Sequence, residues 1–183
     1  SVPDKGELTA DGSGGSQVDT RARSRALPLL ALIVTVVVLG LLPVLQTGHF
    51  YFHDDSEAVF LPTWKMAGTV EAQFGLWSPV NFVVMMAVAL IPDLVVAATV
   101  VKIFFSLLLA TGTYLLAREY GARAWPAMAV AAALPFTGFT LYFDTSTWIA
   151  GLMAFAWTPW FWWVARRVGR GVLNPVALFI VGY

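Results

Sequence analysis

The chain has 183 residues, of which 58% are hydrophobic and 12% are charged, and its formal net charge is zero. Soluble domains carry about a quarter charged residues, so this composition is typical of an integral membrane protein. The chain has no cysteine, which excludes disulfides and thiolate metal sites, and its two histidines are too few for a multi-histidine metal site.

Residues 1–25 join a polar stretch rich in Gly and Ser to three arginines, Arg21, Arg23 and Arg25. This composition predicts a disordered cytoplasmic tail with a basic end. The uncharged run that follows, at about 26–46, is long enough to cross the hydrocarbon core of a bilayer. A signal peptide is the competing interpretation, but the run exceeds a usual h-region and no A-x-A-like site closes it.

Later apolar runs predict three more spans, at about 94–117, 124–143 and 148–165, and another that starts near residue 172. The run at 80–91 is too short for a simple span. If it does not cross, every arginine lies on the cytoplasmic side, as the positive-inside tendency expects. The charges therefore favour an outer loop over 47–93 in an all-α polytopic membrane protein. Because the chain starts at a serine and stops inside an apolar run, we expect it to be the N-terminal part of a longer protein.

The outer loop contains apolar residues at spacings of three and four, which share one face of a predicted helix: Phe60, Trp64, Ala67, Val70 and Phe74. Such a helix lies on the membrane surface with its aromatic face in the interface, and Lys65 falls on another face. Near the inner arginines, Trp160, Trp162 and Trp163 are typical of an anchoring aromatic belt.

Asp54 and Asp55 form an adjacent carboxylate pair soon after the first span. Because the two charges repel, one of them can take up a proton and act as a general base. Alternatively, the pair can bind a divalent cation such as Mg²⁺ or Mn²⁺ through its oxygens. The simpler interpretation is a helix N-cap, with Asp54 at the cap and Glu57 three residues later. His53, just before the pair, can orient a substrate hydroxyl or have no role beyond the interface.

Lys102 lies inside the predicted span 94–117, about 13 Å from its outer end at 1.5 Å per residue. A cation at this depth is costly unless it snorkels to the surface or meets an anion. Snorkelling outward would bring the ammonium to the side that holds Asp54 and Asp55, where it can pair with a carboxylate or bind a lipid phosphate. The candidate ligands for substrate or lipid phosphate are His53, Lys65, Lys102 and Asp144.

Asp93 and Asp144 each stand just before a predicted helix, so N-capping is the favoured interpretation of both, although each also adds a carboxylate to the outer face. The chain has no P-loop, GxGxxG, HExxH or GxSxG arrangement. Its arginines stand at helix ends and do not form a nucleic-acid patch, so we expect membrane lipids and no nucleic acid as partners.

Five stretches in order cover most of residues 50–170: FHDDSEAVFLPTWK, GLWSPVNF, LIPDLVVAATVVKIFFSLLLATGTYLLAREYGA, AALPFTGFTLYFDTSTWIA and LMAFAWTPWFWWVARR. This series resembles the GT-C class of integral-membrane glycosyltransferases, and within it the bacterial YfhO-like membrane proteins. The resemblance implies a GT-C-like N-terminal transmembrane module and transfer of a sugar from a polyprenyl-phosphate-linked donor. The acceptor would be an envelope glycan, lipid or polymer outside the bacterial cytoplasmic membrane.

The resemblance also implies that an acidic residue of the first outer loop acts as base or metal ligand, a role that carries over to Asp54 and Asp55. The apolar VVMMAVALIP after Asn81 departs from the more polar loop expected there. The main rival class is a transporter or channel in which Lys102 and the outer carboxylates line a path. Transport usually needs charged or broken-helix features in both membrane halves, and the inner halves here lack them. A non-catalytic envelope-assembly partner is the third interpretation.

Overall fold

A computed structural model describes residues 14–47, 87, 90–138, 140 and 149–182. Within these residues the protein is all-helical and has no strand. The helices are α1 (Gly14–Thr47), α2 (Leu94–Glu119), α3 (Ala124–Ala133), α4 (Ile149–Gly169) and α5 (Val176–Gly182), and a short 3-10 turn (Leu134–Phe136) directly follows α3.

Helix α1 starts well before the apolar run that was predicted to form it. The expectation of a disordered tail over 1–25 is wrong for residues 14–25, which belong to α1. Gln, Ala and Arg in this stretch are adequate helix formers, and α1 continues through Pro28 although an interior proline removes one helical hydrogen bond.

Helix α2 has well-defined signals at both ends. Asp93 caps its start, with Val96 N donating to Asp93 Oδ1 at 3.0 Å, which confirms the predicted N-cap. At the other end, Ala122 N donates to Ala117 O at 3.0 Å across Gly121, whose φ is 87°. This pattern is a Schellman motif, which needs a left-handed residue and therefore favours glycine. Helix α4 ends in the same way at Gly171, with φ of 70°.

Helix α2 lies at the centre of the described helices and contributes to two core clusters. One cluster joins α2 to α4 and contains Ala97, Val101, Phe105, Leu109, Leu152 and Ala156. The other joins α2 to α1 and α3 and contains Leu32, Val36, Ala110, Tyr114, Ala127, Ala131 and Ala132. Apolar residues therefore occupy two different faces of one helix.

The helix directions give the bundle two distinct ends. Gly40 of α1 sits against Ile103, where an added Cβ would lie 3.0 Å from Ile103 Cγ1, whereas Leu32 packs further along α2 with Tyr114. Residue numbers thus rise along α1 as they fall along α2, so the two helices are antiparallel. Thr47 and Leu94 consequently lie at the same end, which is the arrangement that the charge argument for 47–93 requires. We call this end the lysine end, because Lys102 is nearest to it.

The opposite end, which we call the arginine end, collects the arginines in the last turns of α2 and α4 or just after them: Arg118, Arg123, Arg166, Arg167 and Arg170. Glu119 at the end of α2 pairs with Arg167 and Arg170 near the end of α4, so these two helices are parallel and finish together. Since α1 is antiparallel to α2, its arginine-bearing N-terminal part points to the same end.

Three of the predicted spans differ from the helices observed. The predicted span at about 124–143 starts as α3, which ends at Ala133 and is followed by a 3-10 turn, and its residues 139 and 141–143 lie outside the described residues. Pro135 lacks the N–H that an α-helical bond to Ala131 would need. Helix α4 continues four residues past the predicted end at 165, and α5 begins at Val176 rather than near 172.

Among the described helices, one segment, Thr99–Glu119, is long and apolar enough to cross a membrane by length and composition. The apolar parts of α1 and of α3 with its following turn, Ala26–Leu42 and Ala124–Phe136, are shorter. The polytopic architecture and the GT-C-like module stay predictions.

Candidate functional site

Lys102 is buried inside the helical bundle. The residue is 5% exposed and its Nζ atom is buried. Its chain neighbours Val101 and Ile103 lie on different faces of α2, one in the cluster with α4 and the other against Gly40 of α1. Of the alternatives for Lys102, snorkelling to the surface does not agree with this position, because the ammonium is buried within the described helices, and the ligand role stays a prediction.

Two hydroxyl residues share the helix face of Lys102. Thr99 and Ser106 are also buried, and the spacings of three and four residues put all three side chains on one face of α2. We call Thr99, Lys102 and Ser106 the polar stripe. At about 100° per residue, the stripe occupies the arc between the face toward α4 and the face toward α1 and α3. A cation and two hydroxyls thus run along the inside of an otherwise apolar helix.

The 3-10 turn after α3 adds further hydroxyls to this region of the bundle. Thr137 Oγ1 and Thr140 Oγ1 both donate to Leu134 O, at 3.0 and 2.9 Å, and the two hydroxyls lie 3.1 Å apart. Leu134 packs against the α2–α4 cluster that contains Val101. Leu134 O also accepts from Thr137 N at 3.2 Å, and as one of the last carbonyls of this helical segment it can accept the two side-chain bonds as well.

The polar stripe suits anion binding rather than acid–base chemistry. Lysine is a compact charge with three donors, and hydroxyls donate to the same phosphate or carboxylate oxygens. Asp93 is the acidic residue that the structure describes at this end, and its carboxylate is engaged in capping α2. The described residues contain no group of three His, Cys, Asp or Glu side chains that could hold a metal ion.

Most of the predicted site lies outside the described residues. This applies to the proposed base or metal pair, to the surface helix, and to the other candidate ligands: His53, Asp54, Asp55, Lys65 and Asp144. Lys102 is the member of the predicted set that the structure describes. The roles of the others stay predictions.

The arginine end holds an ion-pair cluster that the sequence analysis did not single out. Glu119 accepts from Arg167 Nε at 3.2 Å and from Arg170 Nη1 at 2.7 Å. The Arg166 guanidinium lies 4.0 Å from the centroid of the Tyr120 ring, and Trp162 Nε1 donates to Tyr120 OH at 2.9 Å. The sequence carries a signal for this cluster. The segment from 118 to 170 has five arginines and two acidic residues, and Glu119 is the acidic residue close to the arginines along the chain.

The three tryptophans of the predicted aromatic belt do not act alike. Trp162 is exposed, as an interfacial anchor would be, whereas Trp160 packs into α2. Trp160 Nε1 donates to Leu108 O at 2.7 Å, and the Trp160 ring fills the space beside Gly112. The anchoring interpretation is therefore wrong for Trp160, which ties α4 to α2.

Comparison of the chain with family models, curated proteins and solved structures finds no match. The function is accordingly argued from the residues themselves and from the resemblance of the stretches quoted above.

Proposed function

We propose that the protein is a GT-C-type membrane glycosyltransferase. It would move a sugar from a polyprenyl-phosphate-linked donor to an envelope glycan, lipid or polymer on the outer face of the bacterial cytoplasmic membrane. The observation that carries this proposal is the burial of Lys102 in an apolar helix, with Thr99 and Ser106 on the same face. A cation inside a membrane helix is costly and is typical of a functional site. A lipid-linked phosphate is an anion of the membrane, and it is the ligand class that we propose for this cation.

The ends of the helices support a role for the acidic pair near this lysine. Thr47 and Leu94 lie at the lysine end, and Asp54 follows Thr47 by seven residues, a reach of at most about 25 Å. Lys102 stands eight residues into α2, or about 12 Å from its start. Chain connectivity alone is therefore compatible with a carboxylate working on the sugar while the lysine holds the phosphate.

In this scheme Asp54 or Asp55 takes a proton from the acceptor hydroxyl. The hydroxyl oxygen then bonds to the anomeric carbon, and the bond from that carbon to the lipid phosphate breaks. The leaving phosphate takes the electron pair of that bond and gains a negative charge, which Lys102 would offset. Two carboxylates are also suitable ligands for Mg²⁺ or Mn²⁺, and a bound cation would stabilise the same leaving group.

The arginine end supports the proposed orientation. Its arginines lie at the end of the bundle opposite the lysine end, and arginines at helix ends favour the cytoplasmic side. This arrangement supports a cytoplasmic N-terminus and a polar stripe in the outer half of the membrane.

The test is sugar transfer by full-length protein in membranes, with Asp54→Asn and Asp55→Asn made separately. A general base at one position predicts a loss of about a hundredfold there, because asparagine cannot accept the proton. A metal role predicts a loss that follows chelation of divalent cations. Asp93→Asn is the matched control, since Asp93 caps α2 and asparagine caps about as well, so its activity should stay at the parent level. Full activity in both test variants would refute the proposal.

A transporter is the second candidate, and the break after α3 is the observation that favours it. Transporter sites near the membrane midplane often use interrupted helices, and Leu134–Phe136 interrupts the apolar run beside the cluster that contains Val101. Flux of a charged solute into vesicles containing the protein, lost in Lys102→Met and accompanied by no sugar product, would favour this candidate over the enzyme.

A further inference from the structure

We infer that the arginine end carries a binding site for the headgroup of an anionic phospholipid, built from Arg166, Tyr120 and Trp162. This inference rests on the membrane placement proposed above, but it does not depend on sugar transfer. It concerns the end of the bundle opposite the polar stripe.

The geometry of the site is fixed by contacts between side chains of α2 and α4. Tyr120 and Trp162 are 56% and 57% exposed, and Trp162 Nε1 donates to Tyr120 OH at 2.9 Å. The Arg166 guanidinium carbon lies 4.0 Å from the Tyr120 ring centroid. The stacked arginine is therefore held in place before any ligand arrives, which lowers the entropic cost of binding.

The charges near this site are not balanced. Glu119 uses its two carboxylate oxygens on Arg167 and Arg170. Arg166 makes no ion pair to a described residue, and its buried Nε has no hydrogen-bond acceptor among the residues that the structure describes. Of the three arginines in the last turns of α4, Arg166 is therefore the one whose charge no described carboxylate compensates, and it is stacked on Tyr120. Guanidinium groups bind phosphate oxygens with good geometry, so a phosphate would compensate the positive charge of Arg166.

The exposed aromatic residues favour a phospholipid over a soluble phosphate. Phe161 is 48% exposed next to Trp162 on the last apolar turns of α4. Trp and Tyr are enriched at the depth of the headgroups, and basic sites between helices at the cytoplasmic face bind anionic headgroups. The arrangement offers a cation for the phosphate and rings for the upper acyl chain, which a free anion would not use.

The experiment measures binding of phosphatidylglycerol and phosphatidylcholine to the full chain in detergent by native mass spectrometry. The parent should prefer phosphatidylglycerol, and Arg166→Gln should weaken that binding about tenfold, because a charge-assisted contact is lost. Arg123→Gln is the matched control. It removes the same charge from an exposed arginine at the same end. Because Arg123 does not belong to the stacked site, lipid binding should stay within about twofold of the parent. A diffuse surface potential would instead predict a loss of about fivefold for either arginine.

Equal losses in Arg166→Gln and Arg123→Gln would overturn the inference, because they indicate a diffuse surface potential. Displacement of the lipid by inorganic phosphate at equal concentration would overturn it in favour of a soluble anion. If Arg166→Gln fails to fold, Arg166→Lys decides: it keeps the charge but not the planar stack, and should bind about threefold more weakly. Parent-like binding by Arg166→Lys would then refute the site.

Release of the parent chain from membranes by alkaline carbonate would refute the membrane placement as well, whereas a membrane-embedded chain without lipid preference refutes this inference alone.

Discussion

The two ends of the bundle hold positive charge in opposite ways. At the arginine end, Arg167 and Arg170 are 36% and 50% exposed and share Glu119. At the lysine end, Lys102 is 5% exposed on a helix with apolar packing faces on either side. Exposed pairs cost little to form and contribute little to stability, so they indicate orientation. A cation inside the helices is costly to bury, so Lys102 is the candidate for a functional site.

Helix α2 joins the two ends of the bundle, and a change in its packing against α4 should have the largest effect on stability. In Gly112→Ala the new Cβ would lie 2.5 Å from Trp160 Cδ1, so Trp160 must move and lose its bond to Leu108 O. We expect the free energy of unfolding in micelles to fall by about 1–3 kcal/mol. Gly169→Ala is the control, because nothing lies within 4 Å of its Cβ, and its change should stay within about 0.5 kcal/mol. Equal stability of the two variants would contradict the packing.

At the lysine end, the cap on α2 gives a smaller effect. Asp93→Ala leaves Val96 N without its side-chain acceptor and should cost about 1 kcal/mol, whereas Asp93→Asn should be nearly neutral. Hydrogen exchange at the Val96 amide reports this directly, with faster exchange in the alanine variant alone. Equal exchange rates at the Val96 amide in the alanine and asparagine variants would contradict the capping role of Asp93.

At the arginine end, we expect the smallest effect. Glu119→Gln removes both ion pairs, but the arginines are partly exposed, so screening limits the loss to about 0.5 kcal/mol or less. The difference from the parent should shrink further when thermal unfolding is followed at high salt. A loss above about 2 kcal/mol that does not respond to salt would mean that this end is held together as firmly as the core, and the contrast between the two ends would disappear.

The sequence predicts those features that depend on local chemistry. Asp93 has a short side chain that can accept a hydrogen bond and stands just before a helical run, and it caps α2 as expected. The charge argument predicts a common side for the arginines, and the directions of α1, α2 and α4 agree with it. Composition alone also predicts an all-helical chain, and the described residues are all-helical.

Features that depend on packing between helices were not predictable in this way. Lys102 looks equally able to snorkel or to stay inside, since the choice depends on the neighbours of α2. Trp160 and Trp162 look alike in sequence, but they lie on different faces of α4, and Gly112 provides space for Trp160 alone. The turn at Leu134–Phe136 had a local signal in Pro135, which the hydrophobicity of the run concealed.

Lys102→Met, measured for stability and for sugar transfer in the same membranes, tests the central claim most directly. Methionine keeps the length of the side chain and removes the charge, so we expect a folded variant in which the apolar packing of α2 is kept. We also expect at least about a tenfold loss of transfer, since the charged contact to the donor phosphate is gone. Thr111→Ala is the control, because it removes a hydroxyl from the face of α2 opposite the polar stripe, where Thr111 Oγ1 donates to Leu107 O, so transfer should stay within about threefold of the parent. Parent-level transfer by stable Lys102→Met protein would contradict the claim that the buried lysine serves a lipid-linked phosphate.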